Sequence, residues 1–289
     1  MADTNHADAG DERARAAADE SDEPSTARRP WRTKSDKPEK KKGSLLRETI
    51  IIVVCVLLIS WILQTFIGRQ YVIPSESMES TLIGCSGCTN DRIFVDKLSY
   101  TFGDPKPGDV VVFKVPDEWG ESGWASPRSS NVVVHRLQDA LSWFGFAPPN
   151  ENDYVKRVIA VGGQTIECRN DEGVGVKVDG KALHESYINM DLQRQNLANG
   201  FVRPEAITSS GSLNSCLGAD FGPIKVPANQ VFVMGDNRTR SSDSRYHIQD
   251  ANGANYGGTV PVDDIRGKTQ FIIYPFSRMG GVDSVDPQP

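Results

Sequence analysis

The chain has 289 residues, enough for one large or two modest domains. Its net charge of −6 argues against nucleic acid as a global partner, because phosphate binding needs an excess of Lys and Arg. The average conceals an asymmetry. Residues 1–27 are acidic and poor in large apolar side chains, whereas residues 28–47 hold nine Lys or Arg against two acidic residues.

Neither stretch can bury enough apolar surface to offset its ordering entropy, which predicts a disordered tail over residues 1–48. The composition then flips. Thr49 to Ile67 is nineteen residues without a charge, about 28 Å as a helix and close to the thickness of a bilayer's hydrocarbon core. Core helices are seldom this long without one charged position, and no small-x-small cleavage site follows. A single signal anchor over 49–69 is the expectation. Basic residues crowd its N-terminal side and only Arg69 follows closely, so the positive-inside rule puts the tail in the cytoplasm and residues 70–289 outside. Trp61 and Tyr71 are candidates for the outer interface.

Directly after the span comes IPSESMESTL (73–82), with Ser75 and Ser77 two apart. It reads either as a polar loop or as the carrier of a nucleophile. Of the cysteines, Cys55 lies in the span, and Cys85, Cys88, Cys168 and Cys216 all fall on the expected outer side. An even number in an oxidising compartment suggests disulfides, with three possible pairings. Cys85 and Cys88 form a C-x-x-C, which raises a zinc site or a redox dithiol. The flanking GCSGCTN is turn-like rather than the start of a helix that would lower a thiol pKa. Cys85–Cys88 and Cys168–Cys216 are the expected bridges.

Beyond residue 70, short runs rich in Val, Ile, Phe and Tyr recur between Gly, Pro, Asn and Asp: DRIFVDKLSY, DVVVFKV, DYVKRVIAV, GVKVDG, QVFVMGD and KTQFIIYPF. They predict an antiparallel β-barrel or sandwich rather than a parallel α/β sheet. Asp179-Gly180 marks a hairpin. Residues 116–150 and 186–223 are less regular. Within the first, VVVHRLQDALSWFGF is amphipathic, and its Trp143, Phe144 and Phe146 either pack in the core or rest on a bilayer surface.

A hydrolytic serine needs a proton acceptor and an oxyanion donor. His135 follows three valines in a strand-like run, and His184 and His247 sit in polar segments. G-x-S-x-G, a following S-x-x-K and a catalytic zinc cluster are all missing. Lys156 stands apart, in the middle of the apolar run DYVKRVIAVGG. It is either an edge-strand lysine facing solvent or a buried amine with a lowered pKa. Only a neutral lysine can take a proton from serine.

Four motifs in order after the span resemble the type I signal peptidases, membrane-bound serine–lysine endopeptidases that remove signal peptides from exported preproteins. They are PSESM at 74–78, GDVVVF at 108–113, YVKR at 154–157 and MGDNRTRSSDSR at 234–245. The likeness runs from the span to about residue 278, and the C-x-x-C and VIAVGGQT are most like actinobacterial members. The resemblance implies Ser77 as nucleophile, Lys156 as general base, and Ser75 completing an oxyanion hole with the backbone N–H of Ser77. It implies that Ser241 orients the lysine amine, that Asp243 and Arg245 form a supporting ion pair, and that Asp236, Asn237 and Arg238 form the turn holding the site. Substrate pockets would draw on Tyr71, Ile73, Met78, Leu82, Tyr154 and Val155.

One departure is visible. The family usually has Pro before Thr-Leu, and here Ser80 stands in ESTL, which frees one φ angle. The implied fold is a membrane-anchored catalytic domain of LexA-like type over 70–289, with a small β-rich insertion at about 170–225. The implied enzyme is a monomer without metal or cofactor in the plasma membrane, cleaving Ala-x-Ala signal peptides from Sec and Tat export substrates. A self-cleaving Ser/Lys repressor would carry a helix-turn-helix and no span, the reverse of this chain. An anchored binding protein would leave Ser77 and Lys156 far apart.

Overall fold

A computed structural model describes residues 42–120, 128–143, 152–249, 253 and 257–289. The expected disorder of residues 1–41, and the aromatic residues Phe144 and Phe146, lie outside the described residues, as does the side chain of Trp143. The chain divides into two units, Met1–Leu46 and Arg47–Pro289, and every strand among the described residues lies in the second.

Helix α1 (Lys42–Ile62) runs on through a π-helical turn, Leu63–Ile67. Leu45–Ile67 is the one helix among the described residues long and apolar enough to cross a membrane. It begins inside the stretch expected to be disordered. It ends two residues short of the expected Arg69, because Gly68 and Arg69 open strand β1 (Gly68–Val72). A Cβ at Gly68 would meet Val95 O and the Phe94 ring at 2.5 Å, so the backbone passes its neighbour too closely for any larger residue.

The six β-type runs all form strands, β2 (Arg92–Asp96), β3 (Val110–Lys114), β4 (Asp153–Val161), β6 (Val176–Val178), β9 (Gln230–Met234) and β11 (Ile265–Tyr274), and β7 (Lys181–Ala182) completes the expected hairpin; β5 (Thr165–Cys168), β8 (Phe221–Lys225), β10 (Val260–Pro261) and β12 (Gly280–Gly281), like β1, lie outside those runs. All pair antiparallel. The large sheet has the order β1-β2-β11-β3-β4-β9-β10, with β12 added to β11. Its ends, β1 and β10, do not meet, so the sheet is open and the closed barrel is not formed. A second sheet, β7-β6-β5-β8, spans the region where the β-rich insertion is expected. Asp179 and Gly180 both have positive φ, 50° and 77°, which the tight turn between β6 and β7 requires.

Period-two alternation explains the core. In β3, Val110 and Val112 join Ile73, Met78, Leu82, Ile93 and Val95 on one face, while Val111 and Phe113 join Trp119, Val158, Val231 and Val233 on the other. A third cluster, with Ile166, Val176, Val178, Phe221, Phe232 and Met234, packs the small sheet.

The short helix α2 (Leu98–Thr101) follows β2. Two further helices occupy the stretches that read as irregular. Helix α3 (Val132–Trp143) contains His135, so the strand-like valines before it are helical. Helix α4 (Met190–Ala198) is capped by Asn189, whose side chain accepts hydrogen bonds from the N–H groups of Asp191 and Leu192.

Candidate active site

Ser77 sits in a single 3₁₀ turn, Glu76–Met78, and is buried. The turn is held from behind: Asn237 N donates to Ser77 O at 3.1 Å and Asn237 Nδ2 to Glu76 O at 3.0 Å. Lys156 lies on β4 opposite Val111 of β3. Because β4 is flanked by β3 and β9, it is a central strand, and Lys156 is only 4% exposed. The solvent-facing edge lysine is not what forms.

The lysine amine donates to Ser77 Oγ at 2.8 Å and to Val155 O at 3.0 Å. Burial lowers its pKa to about 8; Asp243 and Asp236 oppose the shift, and Arg245 adds to it. Near neutral pH a useful fraction of this lysine is a free amine able to accept a proton. The anchored binding protein with these residues far apart is therefore not what the chain makes. Ser75 Oγ lies 3.3 Å from Ser77 Oγ, close enough for its hydroxyl to meet charge developing beside the nucleophile.

Behind the lysine is a layer of buried ions. Arg245 donates from Nε and Nη2 to the two oxygens of Asp243, each at 2.9 Å, and Gly235 N adds a third hydrogen bond at 3.0 Å. Burial alone would raise the Asp243 pKa, but the charge and hydrogen bonds of Arg245 win and hold it at about 2. Arg157 donates to Asp236 at 2.9 and 2.7 Å, and Thr81 Oγ1 donates to the same carboxylate at 2.5 Å. Arg238 pairs with Glu185 and donates to Gly235 O at 3.0 Å. Gly235 is packed so closely that a Cβ there would meet Ser241 Oγ at 2.3 Å and Ser77 O at 2.4 Å.

Of the residues singled out from sequence, Ser75, Ser77, Lys156, Asp236, Asn237, Arg238, Asp243 and Arg245 meet in this one place. Ser241 differs from its expected position. It is buried, but its hydroxyl makes no hydrogen bond to the lysine amine or to any other described residue. It lies beside Asp243, near enough to favour the carboxylate without the geometry of a bond. Tyr71, Ile73, Met78, Leu82 and Val155 gather in one apolar cluster next to Ser77. Tyr154 is on the opposite face with Phe113 and Trp119, its ring 5.2 Å from the lysine amine.

Among the described residues no histidine ring hydrogen-bonds Ser77 or Lys156. The His135 ring faces Asp139 at 3.4 Å. His247 stacks on Trp119 at 4.2 Å and shares a 3.0 Å hydrogen bond with Ser242 Oγ. No cluster of His, Cys, Asp and Glu able to hold a metal occurs among the described residues. Cys85 is bridged to Cys88, and Cys168 to Cys216.

Sequence reasoning missed the outer support. Arg157 and Thr81 fix Asp236, and Glu185 fixes Arg238. From α4, Asn196 Nδ2 donates to Asn237 Oδ1 at 2.8 Å, and Gln193 Oε1 accepts from Thr239 N at 3.1 Å. Only Arg157 left a signal, a second cation beside Lys156 in an apolar strand.

A family model described as signal peptidase, peptidase S26, matches residues 46–274. Signal peptidase I of Mycobacterium tuberculosis (strain ATCC 25618 / H37Rv) is 46% identical over 256 residues, covering 88% of this chain and 81% of that protein. The probable signal peptidase I of Mycobacterium leprae (strain TN) is 47% identical over 258 residues, covering 86% and 83%. Signal peptidase I S of Bacillus subtilis (strain 168) is 30% identical over 246 residues, covering 85% and 97%.

Proposed function

The chain belongs to the signal peptidase family, peptidase S26, whose members are hydrolases, and on that premise we propose that it is a membrane-bound serine endopeptidase cutting signal peptides from exported preproteins with a Ser77/Lys156 dyad. The observation that carries this reading is the 2.8 Å contact between a buried serine hydroxyl and a buried amine of lowered pKa.

The neutral amine takes the Ser77 proton as Oγ attacks the scissile carbonyl. The resulting oxyanion is met by the Ser75 hydroxyl and the backbone N–H of Ser77. As the tetrahedral species collapses, Lys156 passes its proton to the departing amine of the mature protein, leaving the signal peptide as an ester on Ser77. Lys156 then deprotonates a water, which attacks the ester; the second collapse returns that proton to Ser77 Oγ and releases the signal peptide as a carboxylic acid, which loses its remaining proton to solvent. Asp243 with Arg245, and Asp236 with Arg157, hold the lysine strand and the serine turn in register. Ser241 supports the reading as a packing contact against Gly235 rather than as a partner of the amine.

Specificity follows from the edge strand β1 and the apolar cluster. An extended Ala-x-Ala segment pairs with an exposed strand edge, and shallow contacts from Tyr71, Ile73, Met78, Leu82 and Val155, with Tyr154 beside the amine, reject larger side chains by clash. The proposal includes the LexA-like type of catalytic fold, a single span with the tail cytoplasmic and the sheets outside, a monomer, and substrates delivered by Sec and Tat export.

Incubating the detergent-solubilised full chain with a preprotein and sequencing the new N-terminus tests it. Cleavage directly after Ala-x-Ala, lost in Ser77→Ala, is expected. Undiminished cleavage by Ser77→Ala would overturn the dyad.

A further inference from the structure

Helix α3 is amphipathic in an unusual sense. At helical spacing Val133, Leu137, Ala140 and Leu141, with Val134 at the border, share one face. That face is the exposed one: Val133 is 75% and Leu137 58% accessible. The opposite, polar face is the more covered one, with 40% of the His135 and 44% of the Asp139 side chain still exposed. Arg128 Nε donates to Asp139 Oδ1 at 2.8 Å, Ser129 N donates to Gln138 Oε1 at 2.9 Å, and Ser142 is buried. A helix that satisfies its polar side and presents its apolar side has an apolar partner outside the fold.

The occupant is indicated by where the helix is tied. Arg69 Nη2 donates to the carbonyl of Ser142, in the last turn of α3, at 3.3 Å. Arg69 is two residues beyond Ile67, the last residue of the apolar helix. The exposed stripe therefore starts where the span ends. Arg136, exposed at the border of the stripe, supplies a cation that suits phospholipid head groups.

We propose that α3 lies flat in the interfacial layer of the same bilayer that α1 crosses, with Val133, Val134, Leu137 and Leu141 among the acyl chains. This rests on α1 lying in a bilayer, as proposed above. The helix is then a second point of membrane contact, and it restrains how the catalytic domain tilts about the end of the span.

The test uses the full chain carrying Cys55→Ser, reconstituted in nanodiscs of mixed zwitterionic and anionic phospholipid, with a nitroxide on Leu137→Cys. Collisions with oxygen should exceed those with a water-soluble nickel chelate several-fold more than for the same label on Ser210→Cys in an exposed loop. A label on Ile59→Cys reports separately whether α1 is in the disc, and the depth reading needs no peptidase activity. If Ile59 reads as buried in lipid while Leu137 matches Ser210, the proposal is overturned. Spin–spin broadening between Leu137 labels would overturn it in favour of a second copy. Val133→Asp with Leu137→Asp should slow cleavage of a membrane-embedded preprotein several-fold while leaving a short soluble peptide unaffected. Equal slowing of both substrates, or slowing of neither, would also overturn it.

Discussion

Both sheets have apolar cores, but they differ in what else they bury. Around the nucleophile, the large sheet buries Arg157, Asp236, Arg238, Asp243 and Arg245, all nearly free of solvent and each paired. The small sheet has an apolar interior of Ile166, Val176, Val178 and Phe221, closed by the Cys168–Cys216 bridge, and its Lys177 reaches outward to Glu167 and Glu172. Buried ion pairs add little net stability, yet losing one partner is costly because the other charge stays behind in a dry site. Such pairs penalise every arrangement but one. That suits a site in which an amine and a hydroxyl must meet to within a few tenths of an ångström. A disulfide acts on the unfolded chain instead and asks nothing of the local geometry beyond its own.

Substitutions can break this contrast. The largest effect belongs to the dyad: Ser77→Ala and Lys156→Arg should both abolish preprotein cleavage in a gel assay, since arginine keeps charge and length but cannot be deprotonated. Ser75→Ala should leave a residual rate, losing about 10²–10³-fold in kcat. Next comes Asp236→Ala, which strands Arg157 and should cost about 3–5 kcal/mol by urea unfolding of the detergent-solubilised chain. Replacing Cys168 and Cys216 together by Ser should cost about 3–4 kcal/mol of stability while short-peptide turnover stays within a few-fold.

A smaller lever is pH. With the lysine titrating at about 8, only its neutral form works, so kcat/KM should fall about tenfold per unit below that pH and level off above it. A flat profile between pH 6 and 8 would count against Lys156 as the base. Smallest of all should be Lys114→Ala, which removes the exposed Lys114–Asp117 pair at the end of β3. A change above about 0.5 kcal/mol there would show that surface pairs on the large sheet matter too.

What the sequence disclosed follows the same division. Six strands announced themselves through β-branched runs bounded by turn residues, and Lys156 stood out because Val155, Val158 and Ile159 surround it. Strand order did not, since it depends on pairings such as β2 with β11 that join residues far apart in the chain. Helix α4 was hidden because its buried side is polar: Gln193 and Asn196 pack by hydrogen bonding to Thr239 and Asn237, so no apolar periodicity marks it. Helix α3 was read as strand-like at its start because three successive valines favour strands when they face a core, and here they face outward. The partners of Asp236 and Arg238 were invisible for a similar reason. Thr81 and Glu185 are ordinary polar residues in their own segments and acquire meaning only when folding brings them to a buried ion.

The junction between α1 and β1 has no slack. Lys97 Nζ donates to Gln64 O at 3.0 Å and Lys97 N to Ile67 O at 2.9 Å, and from Gly68 onward the chain is already paired with β2. The five residues of β1 rise about 17 Å before the chain turns toward Ser77. With α1 in a bilayer, these bonds leave little free backbone between the span and the sheet, and α3, tied to the same junction through Arg69, narrows the tilt that remains. A preprotein anchored by its own apolar helix in that membrane offers its peptide bonds at heights set by its own length. On the proposed function, the reach of the site from the lipid would then join the flanking side chains in choosing the bond.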